Sequence, residues 1–201
     1  MLYTMEEKIQ LSENQLRIME LFTRGFNKEY YIREMCRLLG VSPRTAQLNL
    51  ESLENLAVLE SKERGKIRTY RLKENEISLD YLKITEIFKC IKFSKKDSII
   101  SEILRRLYPC VDGIGAVFGS YVKGSQKRGS DLDIFIAGKY NKKELEKVAD
   151  LYNIHIDVKN YPIEIFENSI KKDILVKEVL EDHVIFKGAE RFIDIVMKDG
   201  G

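Results

Sequence analysis

The sequence predicts an α+β protein in which a helical N-terminal third precedes an α/β region built on a small mixed sheet. Three observations carry this expectation. Residues 12–56 show apolar residues at helical spacing, broken by glycines and restarted by Ser-Pro. Two short alternating runs then flank a Gly65 turn. From residue 95 onward, helical stretches alternate with short apolar runs suited to buried strands, and one of these opens on Asp131-Leu132-Asp133.

Taking the chain in order, Ser12 is a plausible N-cap, and Leu16, Met19, Leu21 and Phe22 continue at helical spacing up to Gly25. A second helix is expected over about Lys28 to Leu39 and ends at Gly40. Ser42 caps a third helix with Pro43 at its first position, running to about Leu56 and burying Ala46, Leu50 and Leu53. Val58–Lys62 and Ile67–Leu72 then read as a hairpin around Glu63-Arg64-Gly65-Lys66. A short helix, a glycine-containing turn and a new helix start is the layout of a helix-turn-helix. Closed by a basic-tipped hairpin, it resembles the winged helix-turn-helix DNA-binding domains, over residues 1–75.

That resemblance implies a double-stranded DNA partner, with the third helix in the major groove and the hairpin on flanking backbone. Arg44, Thr45, Gln47 and Asn49 lie on or near the third helix; Arg and Gln/Asn can contact guanine and adenine edges in bidentate fashion. Arg64, Lys66 and Arg68 suit phosphates, which position a protein without reading sequence. The competing reading is a solvated surface, and Glu51, Glu54 and Glu63 would repel phosphate if they faced the groove.

Residues 76–94 form a connector whose apolar positions Leu79, Leu82, Ile84, Ile87, Phe88 and Ile91 follow mostly helical spacing. They carry more apolar surface than a solvent-bridging helix needs. Two expectations stand: a homodimer formed through this helix, or packing against the chain's own flanking regions.

The third region, 95–201, begins with a helix expected from Ser94 as cap to Tyr108, with Pro109 closing it, and Val111–Phe118 as a strand. Gly119-Ser120 follows, and ten residues later comes Asp131-Leu132-Asp133, opening the strand Ile134–Ala137. Side chains alternate along a strand, so Asp131 and Asp133 share a face while Leu132, Ile134 and Ile136 take the other. Two carboxylates there repel each other unless a cation lies between them. Mg²⁺ is commonly held by one or two carboxylates together with substrate phosphates. Glycine at 119 lets backbone approach a phosphate closely. Asn141 opens a further helix, and Ile154–Val158 alternates again, placing His155 and Asp157 on one face. If that strand lies beside the Asp131 strand, Asp157 is a third carboxylate aimed at the same cations. Ser169 is expected to cap a helix through Leu180, and His183–Lys187 reads as a final strand.

Gly-Ser, ten residues, Asp-x-Asp and a later strand aspartate resemble the DNA polymerase beta superfamily of nucleotidyltransferases, most closely its minimal nucleotidyltransferase branch. The resemblance implies transfer of a nucleoside monophosphate, AMP from ATP being the expected case, to a protein or RNA acceptor. It implies two Mg²⁺ ions held by Asp131, Asp133 and Asp157, which are then the catalytic residues. Gly119 and Ser120 would contact the triphosphate, with Lys123, Lys127 and Arg128 as candidate neutralising charges. Members of that branch serve as antitoxins that modify a partner toxin, so a toxin is one candidate acceptor. The alternative is a transcriptional regulator whose nucleotidyltransferase-like region senses nucleotide with little turnover.

Composition bounds the rest. Formal net charge is +2 over 201 residues and says little about partners. No apolar run approaches the ~20 residues that span a bilayer, so no membrane partner is expected. Cys36, Cys90 and Cys110 lack metal or disulfide spacing and sit among apolar neighbours; they read as buried thiols of a cytoplasmic protein.

Overall fold

The computed structural model describes residues 11–65 and 67–200. Helix α1 (Glu13–Phe22) starts with a capping box: Ser12 Oγ accepts from the Gln15 backbone, and the Gln15 side chain accepts from Ser12 N at 2.7 Å. The second helix begins later than its periodicity suggests. Tyr30–Tyr31 instead form a short strand, β1, and α2 runs from Ile32 to Leu39. The cause is distant in sequence: Tyr30 and Tyr31 pair with Tyr70 and Thr69, and the Tyr30 ring meets Phe22 edge-on while its hydroxyl donates to Leu21 O. Gly40, at φ +65°, ends α2, and Ser42 with Pro43 starts α3 (Pro43–Asn55), which buries Ala46, Leu50 and Leu53. Strands β2 (Leu59–Arg64) and β3 (Ile67–Leu72) form the expected hairpin, and β3 sits centrally in the order β1-β3-β2.

Asn75 caps α4 (Glu76–Ser94), the predicted connector helix. Because α4 continues through Ser94, that residue cannot cap the next helix. Asp97 does so instead, its Oδ1 accepting from Ile99 and Ile100 N, and α5 spans Ser98–Leu107. A 3₁₀ turn, Tyr108–Cys110, leads into β4 (Val111–Phe118). After Gly119 comes one short helical turn, α6 (Ser120–Lys123), then β5 (Leu132–Tyr140), α7 (Lys142–Tyr152) and β6 (Ile156–Tyr161). Helix α8 (Ile163–Ser169) ends at Ser169, so the expected Ser169 cap is replaced by Asp173, whose carboxylate accepts from Val176 N at the start of α9 (Ile174–Glu181). Strand β7 (His183–Lys187) and α10 (Ala189–Gly200) complete the fold.

The larger sheet has the order β6-β5-β4-β7 and is mixed, as expected: β5–β4 and β4–β7 are antiparallel, β5–β6 parallel. The parallel pair is joined through α7, as a parallel connection requires. Strand β5 is buried on both faces. Leu132, Ile134 and Ile136 join Val117 in a core with α5 and α7. Phe135 and Ala137 join Ile114, Ala116 and Phe118 in a second core with Phe166, Phe192 and Ile193 from α8 and α10. This second core continues without a break into Leu82 of α4 and on to Ile18, Phe22, Leu50 and Tyr70 of the N-terminal third.

A polar cluster lies within that seam. Glu86 and Lys89 of α4 are buried with His183. The Lys89 ammonium donates to Glu86 Oε1 at 2.8 Å and to Thr23 Oγ1 at 3.0 Å, and His183 Nε2 lies 3.1 Å from Glu86 Oε1. His183 Nδ1 also meets Val179 O at 2.8 Å. Burial opposes ionisation of Glu86, but Lys89 and His183 overcome it and hold the carboxyl at about 2. The cysteines differ from expectation: all three thiols are free and only partly buried. Among the described residues, no helix is long and apolar enough to cross a membrane.

Candidate active site

The register of the central strands assembles the site. Val117 pairs with Ile134, so the C-terminal end of β4 and the turn Gly119-Ser120 come down beside the N-terminal end of β5. On the other side of β5, Asp133 pairs directly with Asp157 of β6. The strand neighbour on which Asp157 depended is therefore the observed one. Asp131 immediately precedes β5, so the three aspartates and the Gly-Ser turn meet at one end of the sheet.

Asp133 is the central and most enclosed of the three acids. Its carboxyl is raised above the ordinary aspartate value, first by burial, then by the charges of Asp157, Asp131 and Glu178, with Lys159 partly offsetting them. Gly119 packs against it so closely that a Cβ at 119, held at φ +70°, would collide with the Asp133 carboxylate. Glycine is thus required twice at this position, by conformation and by space.

The flanking acids are engaged by basic side chains on or beside β6. Asp157 Oδ2 is 3.0 Å from Lys159 Nζ, and Asp131 Oδ1 is 3.2 Å from His155 Nδ1. As the side chains stand, no three His, Cys, Asp or Glu among the described residues are gathered closely enough to hold a metal ion. Both flanking acids are exposed enough to turn by simple rotamer changes. An all-carboxylate oxygen donor set, with a central aspartate destabilised as an anion, fits a hard divalent cation such as Mg²⁺.

The predicted phosphate-side charges divide. Lys123, on α6, pairs with Glu178 at 3.2 Å. Lys127 and Arg128 are exposed in the loop before Asp131, which is pinned by Ser130 Oγ accepting from Lys127 N at 2.8 Å and by Tyr121 donating to Ser130 O at 3.3 Å. Sequence reasoning missed Lys159 and Glu178. Lys159 carried a signal, since it lies two residues beyond Asp157 on the same strand face. Glu178 carried none, because only the packing of α9 brings it to the site.

The residues assigned to DNA lie in the N-terminal third and are less uniform than expected. Arg44 is exposed near the start of α3. Thr45 supports the cap through Ser42 Oγ at 2.8 Å, and Gln47 donates to Glu51 at 2.8 Å. Asn49 donates to Thr45 O and accepts from Ser12 Oγ, tying α3 to the start of α1. On the hairpin, Arg64 meets Glu29 at 3.4 Å and Arg68 meets Glu54 at 2.6 Å, so one of the acids counted against DNA binding, Glu54, neutralises a wing arginine. Lys66 lies outside the described residues. Arg33 and Arg37 of α2, not singled out beforehand, line a groove with Arg68, Tyr31 and Ile67.

Residues 97–187 match the family model described as a nucleotidyltransferase domain, a segment that spans α5's first turn to the end of β7 and contains the three aspartates and the Gly-Ser turn. A comparison with curated proteins found no match. Among solved structures, one described as the crystal structure of a toxin-antitoxin with AMP-PNP shares 21% identity over 51% of this chain and 82% of its own, with a TM-score of 0.36. Another, TrmBL2, described as an archaeal chromatin protein with a novel mode of DNA binding, shares 14% identity over 87% and 72%, with a TM-score of 0.30. Superpositions at that level decide neither fold nor function.

Proposed function

We propose that the chain is a DNA-binding nucleotidyltransferase, transferring AMP from ATP to a hydroxyl on a protein or RNA acceptor, and that it acts as an autoregulating antitoxin toward a separate toxin. The observation that carries the transferase half is the pairing of Asp133 with Asp157, with Asp131 and Gly119-Ser120 at the same sheet end, inside the segment that matches a nucleotidyltransferase domain. In this reading the Gly119 backbone and the Ser120 hydroxyl receive the triphosphate, and Lys123, Lys127 and Arg128 offset its charge. Asp131, Asp133 and Asp157 hold two Mg²⁺ ions, whose chemistry when bound is to stabilise charge on the attacking and leaving oxygens. Strand β6 is the sheet edge, so the acceptor approaches from that side, where Asp157 orients its hydroxyl. The hydroxyl oxygen bonds to the α-phosphorus, the bond from that phosphorus to the bridging oxygen breaks, pyrophosphate leaves, and the hydroxyl proton passes to the Asp157 carboxylate and on to water.

The test is incubation of the protein with labelled ATP, Mg²⁺ and extract from the source cells. Wild type should label a macromolecule, and Asp131→Asn/Asp133→Asn should reduce that label by at least ~10³-fold. Absence of label with every nucleotide and metal tried would remove the transferase reading. The DNA half predicts a salt-sensitive shift of the protein's own promoter fragment that weakens on Arg44→Ala. No shift on any genomic fragment would sink it.

A second reading, a regulator that senses nucleotide without turnover, is favoured by the engagement of Asp157 with Lys159 and Asp131 with His155. It predicts that ATP binds and alters the DNA shift while no label is transferred.

A further inference from the structure

Helix α4 buries a polar cluster beside its apolar core residues and carries a second, outward aliphatic stripe. Its inward face buries Ser78, Thr85, Glu86 and Lys89 beside Tyr81 and Leu82. Its outward face presents Ile77, Ile84, Ile87 and Ile91, each between 41% and 54% exposed. These four recur at intervals of seven, three and four residues, the a/d spacing of a helix that lies along another helix. An ordinary surface helix keeps its isoleucines inside and its charges out. Here the interior positions are used by the polar cluster with His183 and Thr23, and the aliphatic stripe faces away from the chain's own core.

The exposed charges differ between the ends of α4: Glu74, Glu76 and, within the stripe, Asp80 outnumber Lys73 at the N-terminal end, and Lys95 and Lys96 outnumber Asp97 at the C-terminal end. Lys83 and Lys92 are engaged within the chain, by Asp194 at 3.0 Å and by Glu20. Among the described residues, Glu76 and Lys95 have no ion-pair partner.

We propose that this face docks a second copy of the same chain, α4 against α4, antiparallel about a two-fold axis. Centred between Ile84 and Ile87, that arrangement sets Ile84 against the partner's Ile87 and Ile91 beside the partner's Asp80 end. Glu76 then faces the partner's Lys95 at both ends of the contact. A parallel pairing sets Glu76 against the partner's Glu76 and Lys95 against the partner's Lys95, and it aligns the helix dipoles unfavourably. The two-fold makes the patch self-complementary, as an isologous interface requires. A 19-residue helix is about 28 Å long, and one such stripe falls at the small end of specific interfaces, below about 1,200 Å². The dimer is therefore concentration-dependent, with dissociation in the micromolar range. The contact involves neither DNA nor nucleotide, so the pairing stands or falls apart from the proposed activity.

The test is sedimentation equilibrium of the full chain, without DNA or nucleotide, from sub-micromolar to high-micromolar concentration. The mass should rise from 23.4 kDa toward twice that value. Ile84→Asp/Ile87→Asp should stay monomeric throughout, weakening association by at least ~100-fold. Both positions face outward, so an unchanged circular dichroism spectrum and melting curve separate lost pairing from lost folding. Orientation is read from charge reversals: Glu76→Lys and Lys95→Glu each weaken the dimer several-fold, and the double variant recovers it. A wild type that remains at 23.4 kDa throughout overturns the proposal, as does a dimer indifferent to the double aspartate variant. Failure of the double reversal to recover association overturns the antiparallel arrangement.

Discussion

Gly119 shows how much of the site depends on one missing side chain. It holds φ +70° and lies against the Asp133 carboxylate, whereas Gly124 holds φ +69° with open space around it. Alanine at Gly124, whose ψ of +24° lies in the left-handed helical region, meets about 1 kcal/mol of conformational resistance, and alanine at Gly119, whose ψ of −146° lies in a region essentially closed to side chains, meets more. Only at 119 does it also push on the carboxylate that the phosphate turn must approach. Both variants should lose stability in urea denaturation, Gly119→Ala by about 1 kcal/mol or more beyond Gly124→Ala. Calorimetric titration with ATP and Mg²⁺ should separate them clearly: Gly119→Ala loses at least ~10-fold in affinity, and Gly124→Ala stays near wild type. Equal affinities would mean that the turn does not receive the triphosphate. The three aspartates and the glycine were legible in the sequence because each is tied to a strand period or a fixed offset. Lys159 was visible but unread, and Glu178 was not visible at all, since nothing local links α9 to β5.

At the scale of elements, local chemistry was legible where it is self-contained. The Ser12 cap, the Ser42-Pro43 helix start, the hairpin and Val111–Phe118 all follow from residues within a few positions of one another. The sequence reading failed where a distant partner decides. Tyr30–Tyr31 leave the helix for pairing with β3, and Asn49, on the face assigned to DNA, spends its amide on Thr45 and Ser12. Helix α4 is the largest case: its period was plain, but which face would be buried was not, because the buried face is satisfied by His183 and Thr23 from opposite ends of the chain. That network makes a pH prediction. The Glu86 carboxyl is held at about 2 in the folded protein against an ordinary 4.5. Its contribution is full above pH ~4.5 and is lost as pH falls toward about 2, because there the unfolded chain takes up the proton first. Burial draws Lys89 below the ordinary lysine value, against the pull of the Glu86 charge. Glu86→Gln should cost about 3–5 kcal/mol at pH 7, where it strands the Lys89 charge. The gap from wild type should close by about 3 kcal/mol between pH 5 and pH 2, measured by urea denaturation at each pH. A gap that stays constant across that window would show that Glu86 is not held ionised.

For the whole molecule, the decisive feature is that one apolar core crosses from the N-terminal helices to the larger sheet. Ile18, Phe22 and Leu50 connect through Leu82 of α4 to Phe135, Phe166 and Phe192, without a polar gap on the apolar side of the seam. Chains of this size often unfold in stages when each part has a separate core. Here, melting the sheet would expose Leu82 and its neighbours on one side, and melting the helices would expose them on the other. The expected outcome is a single thermal transition in calorimetry, with the van't Hoff and calorimetric enthalpies in agreement. Leu82→Ala, at a fully buried position in the seam, should cost about 2–5 kcal/mol and lower that transition as a unit. If the core were instead two cores in contact, Leu82→Ala would uncouple them and split the trace into two peaks. One peak that moves without splitting means that the part carrying the aspartates and the part carrying Arg44 fold as one body. Strain at either end would then be felt at the other through packed side chains, with no flexible linker between them to absorb it.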